Sequence, residues 1–118
     1  MTGKNKKSDL LQGTLDMLIL KSLAGGARHG YGVAKWIQLT TDDALKIEEG
    51  SLYPALHRMQ KHGWLESEWG LSESNRKAKY YKLTRTGRAQ LKREVNSWQQ
   101  MVQAISLVLN AKIGEVPS

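Results

Sequence analysis

Few side chains in this 118-residue sequence could carry acid–base or metal chemistry. The candidates are His29, His57 and His62, with Glu48 and Glu49. A helical metal site needs ligands one turn apart, as in an i, i+4 pair of histidines, and no two of these have that spacing. No carboxylate completes a ligand pattern with them. Cysteine is absent, which excludes thiolate nucleophiles, thiolate metal sites and disulfides. No serine lies in a glycine-flanked elbow, and no glycine-rich run has the form of a phosphate loop. The chain is therefore expected to be no enzyme, and to hold neither metal nor cofactor.

What chemistry the sequence does offer is cationic. Eighteen Lys and Arg stand against eleven Asp and Glu, a formal net charge of +7. That surplus favours a polyanionic partner, nucleic acid first and an anionic membrane surface second. The cations gather in two places. Ser51, Tyr53, His57, Arg58 and Lys61 fall on one side of a helical stretch whose other side is Leu52, Leu56 and Met59. Asn75, Arg76, Lys77 and Lys79 fall in and beside a polar link between two strand-like segments. Either group, taken alone, reads as ordinary solvated surface. Taken together they can grip a duplex. Arg58 has the fork geometry for guanine O6 and N7, while Ser51, Tyr53 and the basic link suit phosphates.

These groups need elements to hold them. Residues 1–9 are polar and lysine-rich and read as a flexible basic arm, in which Lys4, Lys6 and Lys7 add non-specific attraction or do nothing. Leu10 to Leu23 has apolar residues at helical spacing and stops at Gly25-Gly26. A second helix is expected over Gly30 to about Thr40, with Val33, Trp36 and Ile37 on its apolar side. Its Tyr31 and Lys35 can touch the duplex backbone, although Tyr31 equally fits a half-buried core position. Ser51 is placed to cap a third helix running to about His62 and ended by Gly63. Pro54, in the first turn so placed, would break no hydrogen bond and joins the DNA-facing set.

Trp64 to Trp69 and Lys79 to Leu83 alternate as strands do, and Gly70 to Ala78 makes a basic, flexible link between them. A third strand is expected near Leu45 to Ile47. Thr84 caps a last helix to about Asn110, in which Leu91, Val95, Trp98, Val102, Ile105 and Leu109 form an a/d seam for another helix. The fold class is α+β: a winged helix-turn-helix, three helices plus a β-hairpin wing, with a long C-terminal dimerisation helix. The expected boundaries are 1–9 for the arm, 10–83 for the winged domain, 84–110 for the last helix and 111–118 for a tail. No apolar run is long enough to span a bilayer and nothing has the form of a signal peptide, so a cytoplasmic protein is expected.

Gly30-Tyr31-Gly32, Glu49-Gly50-Ser51-Leu52-Tyr53-Pro54-Ala55-Leu56-His57-Arg58-Met59 and Gly63-Trp64-Leu65 resemble the signature of the PadR family of bacterial transcriptional regulators. Lys79-Tyr80-Tyr81-Lys82-Leu83-Thr84 with Gly87-Arg88 continues the likeness, which covers roughly residues 10–110. The single last helix resembles the short-form members, which dimerise through it. The resemblance implies a homodimer, most simply a repressor, that binds a palindromic DNA operator and releases it on a cue. In some short-form members that cue is a flat aromatic compound held at the dimer interface beside a tryptophan of the last helix. Trp98 matches that tryptophan by position, and Leu11, Leu15, Val95 and Val102 would line the same region. A large aromatic at an a/d position is also explained by dimer packing alone. The rival reading is a winged-helix module that binds RNA or an acidic protein. A membrane partner is not expected, because the last helix has a seam in place of a broad apolar face.

Overall fold

The computed structural model describes residues 3–114, with side chains from Gly13 onward. Helix α1 spans Gly3–Ser22, strand β1 Arg28–His29, α2 Gly30–Thr40, α3 Glu49–Lys61, β2 Leu65–Leu71, β3 Lys77–Leu83 and α4 Arg85–Leu109. The three strands form one antiparallel sheet in the order β1-β3-β2. This is the α+β winged-helix arrangement with a long last helix. The core is built from one face each of α1, α2, α3, β2 and β3: Ile19 and Leu20 of α1 with Leu23 just after it, Val33 and Ile37 of α2, Leu52, Leu56 and Met59 of α3, and Leu65, Tyr81 and Leu83 of the sheet. Burying each of the larger side chains contributes about 1.5–3 kcal/mol before entropy is counted.

Local chemistry explains the boundaries. The Nδ1 of His29 accepts a 2.9 Å hydrogen bond from the Gly32 N–H and caps α2. That histidine also stacks on Tyr31 and meets the edge of Tyr80, so it is structural. The polar break after α2 is a closed knot. Thr41 Oγ1 donates to the Ile37 carbonyl at 2.9 Å and accepts from the Leu45 N–H at 3.0 Å, while Asp42 and Asp43 both take left-handed φ angles. At the end of α3, Gly63 has φ +80° and the Trp64 N–H returns to the Met59 carbonyl, the αL stop that a glycine allows.

Four expectations on element limits are corrected. Helix α1 starts at Gly3, so most of the expected arm is helical backbone; extending a nucleated helix by one residue costs little, and lysine is a good helix former. The side chains of Lys4, Lys6, Lys7 and Leu11 lie outside the described residues. Helix α3 starts at Glu49, with Glu48 as an N-cap that makes no side-chain bond, so Ser51 sits within the first turn. Pro54 consequently lies in the second turn, where its ring is on the exposed face and the carbonyl of Gly50 loses its helical donor. Both wing strands run further toward the tip than expected, leaving Ser72 to Arg76 as the connecting turn. The third strand is Arg28–His29, paired with Tyr81 and Tyr80, and Leu45 and Ile47 pack on the core without joining a ladder.

Tyr81 makes the core sensitive to alkali. Burial, and then the neighbouring Tyr53, push its phenol above the ordinary 10.0. The unfolded chain gives up that proton first as pH rises, so the unfolded state is favoured above about pH 10 by up to ~1.4 kcal/mol per pH unit. Denaturant midpoints of Tyr81→Phe should therefore fall less steeply than those of the native chain between pH 9 and 11. Parallel curves would show that Tyr81 ionises freely in the folded state.

Candidate nucleic-acid interface

Helix α3 buries Leu52, Ala55, Leu56 and Met59, and this fixes what its other side presents. Gly50, Pro54, His57 and Lys61 follow one another along the exposed ridge, with Ser51 beside them. Tyr53 is half-buried, its ring lying so close over Gly30 that a Cβ there would come within 2.7 Å of it. That contact joins the start of α2 to α3 and leaves α2's own Tyr31 (62% exposed) and Lys35 in solvent. Of the two readings of Tyr31, the core one is excluded.

Arg58 does not face outward with the others. Its Nη1 and Nη2 donate to Asp16 Oδ2 and Oδ1 at 2.7 and 3.0 Å, a bidentate pair that ties α3 to α1. The hydrogen bond to Asp16 holds the guanidinium even more firmly in its charged form than usual. The expected fork on guanine is thus already occupied by a carboxylate, and Arg58 acts in this structure as a strut. Asp16 was not singled out from the sequence. A lone acid in the apolar stretch Leu15 to Leu20 was its only signal, and its partner is 42 positions away.

The wing is fastened to α3 at its base, where Gln60 Nε2 donates to Ser67 Oγ at 3.0 Å. At its tip Asn75 takes φ +63°, its N–H bonding to the Ser72 carbonyl, and the Ser72 N–H bonds back to the Arg76 carbonyl. Asn75 is therefore the turn residue that sets the geometry, as well as an exposed polar group. Tyr80 donates its hydroxyl to the Leu71 carbonyl at 2.7 Å and braces β3 against the outer end of β2. Arg76 and Lys77 are exposed, Lys79 half-exposed. The structure thus brings Ser51, Pro54, His57 and Lys61 to one side of α3, with the basic wing fixed beside them. It also shows a residue that the sequence reading passed over: Trp69 of β2 is 61% exposed, and the ammonium groups of Lys77 and Lys79 lie 5.2 and 5.8 Å from its ring centre.

Helix α4 leaves the winged domain after its first turns. Thr84 caps it by accepting from the Gly87 N–H, and Leu91 and Val95 are half-buried. Beyond them the seam has no cover within the chain: Trp98 is 46% exposed, and Val102, Ile105 and Leu109 are exposed too. Met101 and Val108 widen that apolar strip beyond the six seam residues read from the sequence. Leu15 is buried in the chain's own core. Among the described residues no group of His, Cys, Asp and Glu could hold a metal ion, and no helix is long and apolar enough to cross a membrane.

A model of the PadR-like transcriptional regulator family matches residues 19–93, more than half of the chain. The chain belongs to the PadR-like family. Its matched segment runs from the last turn of α1 into α4 and so contains the α3 ridge and the whole wing. An uncharacterised protein of Lysinibacillus sphaericus is 31% identical over 103 residues, covering 87% of this chain and 94% of that one. Among solved structures, a transcriptional regulator from Clostridium thermocellum superposes with a TM-score of 0.76 at 32% identity, over 83% of this chain and 95% of that one. A PadR-like transcriptional regulator from Bacillus cereus gives 0.74 at 29% identity, over 88% and 99%. As a PadR-like protein the chain is a DNA-binding transcriptional regulator and not an enzyme.

Proposed function

We propose that this PadR-like regulator is a homodimeric repressor that binds a palindromic operator in the cytoplasm. The observation that carries the reading is the exposed ridge of α3, with Ser51, Pro54, His57 and Lys61 free and a basic wing fixed beside it. A major groove admits one such helix, anchored by a buried face. Two copies joined along the uncovered part of α4 would place two α3 helices in successive grooves about 34 Å apart. Ser51, His57 and Lys61 then lie nearest the base edges, Tyr31 and Lys35 meet the adjoining backbone, and Asn75, Arg76, Lys77 and Lys79 meet flanking phosphates. A flat aromatic effector stacked on Trp98 between Val95 and Val102 of two subunits would change the angle between the α4 helices. The distance between the two α3 helices would follow, and operator affinity with it.

Selection of bound duplexes from a random pool, followed by titration against salt, tests this. A two-fold symmetric consensus is expected, bound by two chains. Uniform, salt-sensitive binding without a consensus would overturn the operator claim and favour the RNA or acidic-protein partner.

The role of Arg58 has its own test. Removing its partner in Asp16→Ala should lower stability by about 1–2 kcal/mol, the pair being partly screened by solvent, as read from denaturant midpoints. Operator affinity should fall with it if the strut only seats α3. A rise in affinity would show instead that Asp16 restrains a guanidinium able to bind DNA.

A further inference from the structure

We propose that Trp69, Lys77 and Lys79 form a single contact for one sugar–phosphate strand, in which the indole ring holds both ammonium groups and itself lies against deoxyribose. The inference rests on the DNA-binding reading above and adds a residue and a ligand chemistry to it. Leu65, Ser67, Trp69 and Leu71 alternate onto one face of β2, and opposite them on β3 stand Leu83, Tyr81, Lys79 and Lys77. The inner half of that face is core: Leu65, Tyr81 and Leu83 are buried, and Ser67 is bonded to Gln60 of α3. The outer half continues in the same plane past the core and emerges into solvent. Trp69 therefore stands on the α3 side of the wing, the side that a duplex lying along α3 would meet.

The two faces of this hairpin differ in charge. On the side away from α3 lie Glu66 and Glu68, and the cation opposite them, Lys82, is paired with Glu66 at 3.4 Å. A phosphate strand would be repelled there. On the Trp69 side there is no carboxylate within the strands, and both lysines lie over a ring that attracts them without cancelling their charge. A cation over an exposed ring is held by about 0.5–1 kcal/mol, enough to bias two long side chains toward one place. Without the ring each lysine would lose more rotamer freedom on engaging a phosphate. The partner that matches two neighbouring cations and an exposed apolar plate is itself alternately charged and apolar, which describes the phosphates and sugar faces of a DNA strand. Such a contact carries no base information and should act on every duplex alike.

The test compares the native chain with Trp69→Phe, Trp69→Ala and the double variant Lys77→Ala/Lys79→Ala, on the selected operator and on a random duplex, across a salt series. Trp69→Ala should weaken both duplexes by the same factor, ~5–10-fold, leaving their ratio unchanged. Trp69→Phe, which keeps a ring, should stay within about two-fold of native. The lysine pair should reduce the salt exponent by about two, and adding Trp69→Ala to it should cost much less than in the native chain. The tryptophan emission lost between the native chain and Trp69→Phe should be the part quenched by added duplex. Equal binding by Trp69→Ala and the native chain would overturn the proposal, as would a loss confined to the operator. So would a change in oligomeric state, which would assign Trp69 to a protein contact. Failure of the native chain to bind either duplex would instead overturn the underlying DNA reading.

Discussion

A Val102→Asp chain should be monomeric at concentrations where the native chain is dimeric, and its operator affinity should fall at least a hundredfold. Val102 lies on α4 between Trp98 and Ile105 in the strip of apolar surface that the winged domain does not cover. The helix is 25 residues long, roughly 37 Å at 1.5 Å per residue, and its second half projects from a molecule whose longest extent is 62 Å. A two-fold interface counts every substitution twice, so two carboxylates would be taken out of water against apolar side chains with no partner for either. At a few kcal/mol each, about 4 kcal/mol in total is a conservative loss, a thousandfold in the dimer dissociation constant. Sedimentation at several concentrations reads it directly.

The operator effect follows from the proposed dimer. In it one α3 helix would bind a half-site; two held at a fixed separation would bind as a unit, and the linked arrangement would exceed either half by an effective-concentration factor. Gln100→Asp, on the opposite side of α4, should change neither quantity, and the winged domain of Val102→Asp should keep its helical signal because the substitution lies outside the core. A monomeric Val102→Asp that binds the operator as tightly as the native chain would remove the basis for an effector acting through this interface.

The elements that sequence placed well were those closed by their own residues. Helix α2 runs from Gly30 to Thr40 as its periodicity required, and Thr84 and Gly63 do at the ends of α4 and α3 what a hydroxyl and a glycine do locally. What could not be read depends on partners far along the chain. A two-residue strand such as Arg28–His29 has no period to detect, whereas Leu45 to Ile47 looks extended and apolar because it covers the core. The helical flank of Arg58 points to the groove, and only the folded chain brings Asp16 within 2.7 Å of it. Trp69 was visible as a strand residue. Its significance came from the strands outrunning the core, which no local pattern announces.

Gly87→Ala should lower the stability of the chain by about 3 kcal/mol or more, and the melting temperature by ~10 °C or more. The usual rule points the other way: alanine in a helix is favoured over glycine by about 1 kcal/mol. Here sterics decide. Gly87 is buried in the first turn of α4, and a Cβ on it would stand 2.0 Å from the Trp64 carbonyl oxygen and 3.2 Å from Leu83 Cδ2. The obstacle is backbone and cannot rotate away. The Trp64 carbonyl is held where it is by the Thr84 N–H at 3.0 Å, and Thr84 Oγ1 is committed both to the Gly63 carbonyl and to the Gly87 N–H. Moving α4 outward to make room would break the cap and the joint between helix and wing together. Gly13→Ala, at an exposed position of α1 with open space around it, isolates the propensity term and should raise stability by up to about 1 kcal/mol. If thermal denaturation finds Gly87→Ala as stable as the native chain, the start of α4 is not seated on Trp64, and the rigid path from α4 to the wing is lost with it.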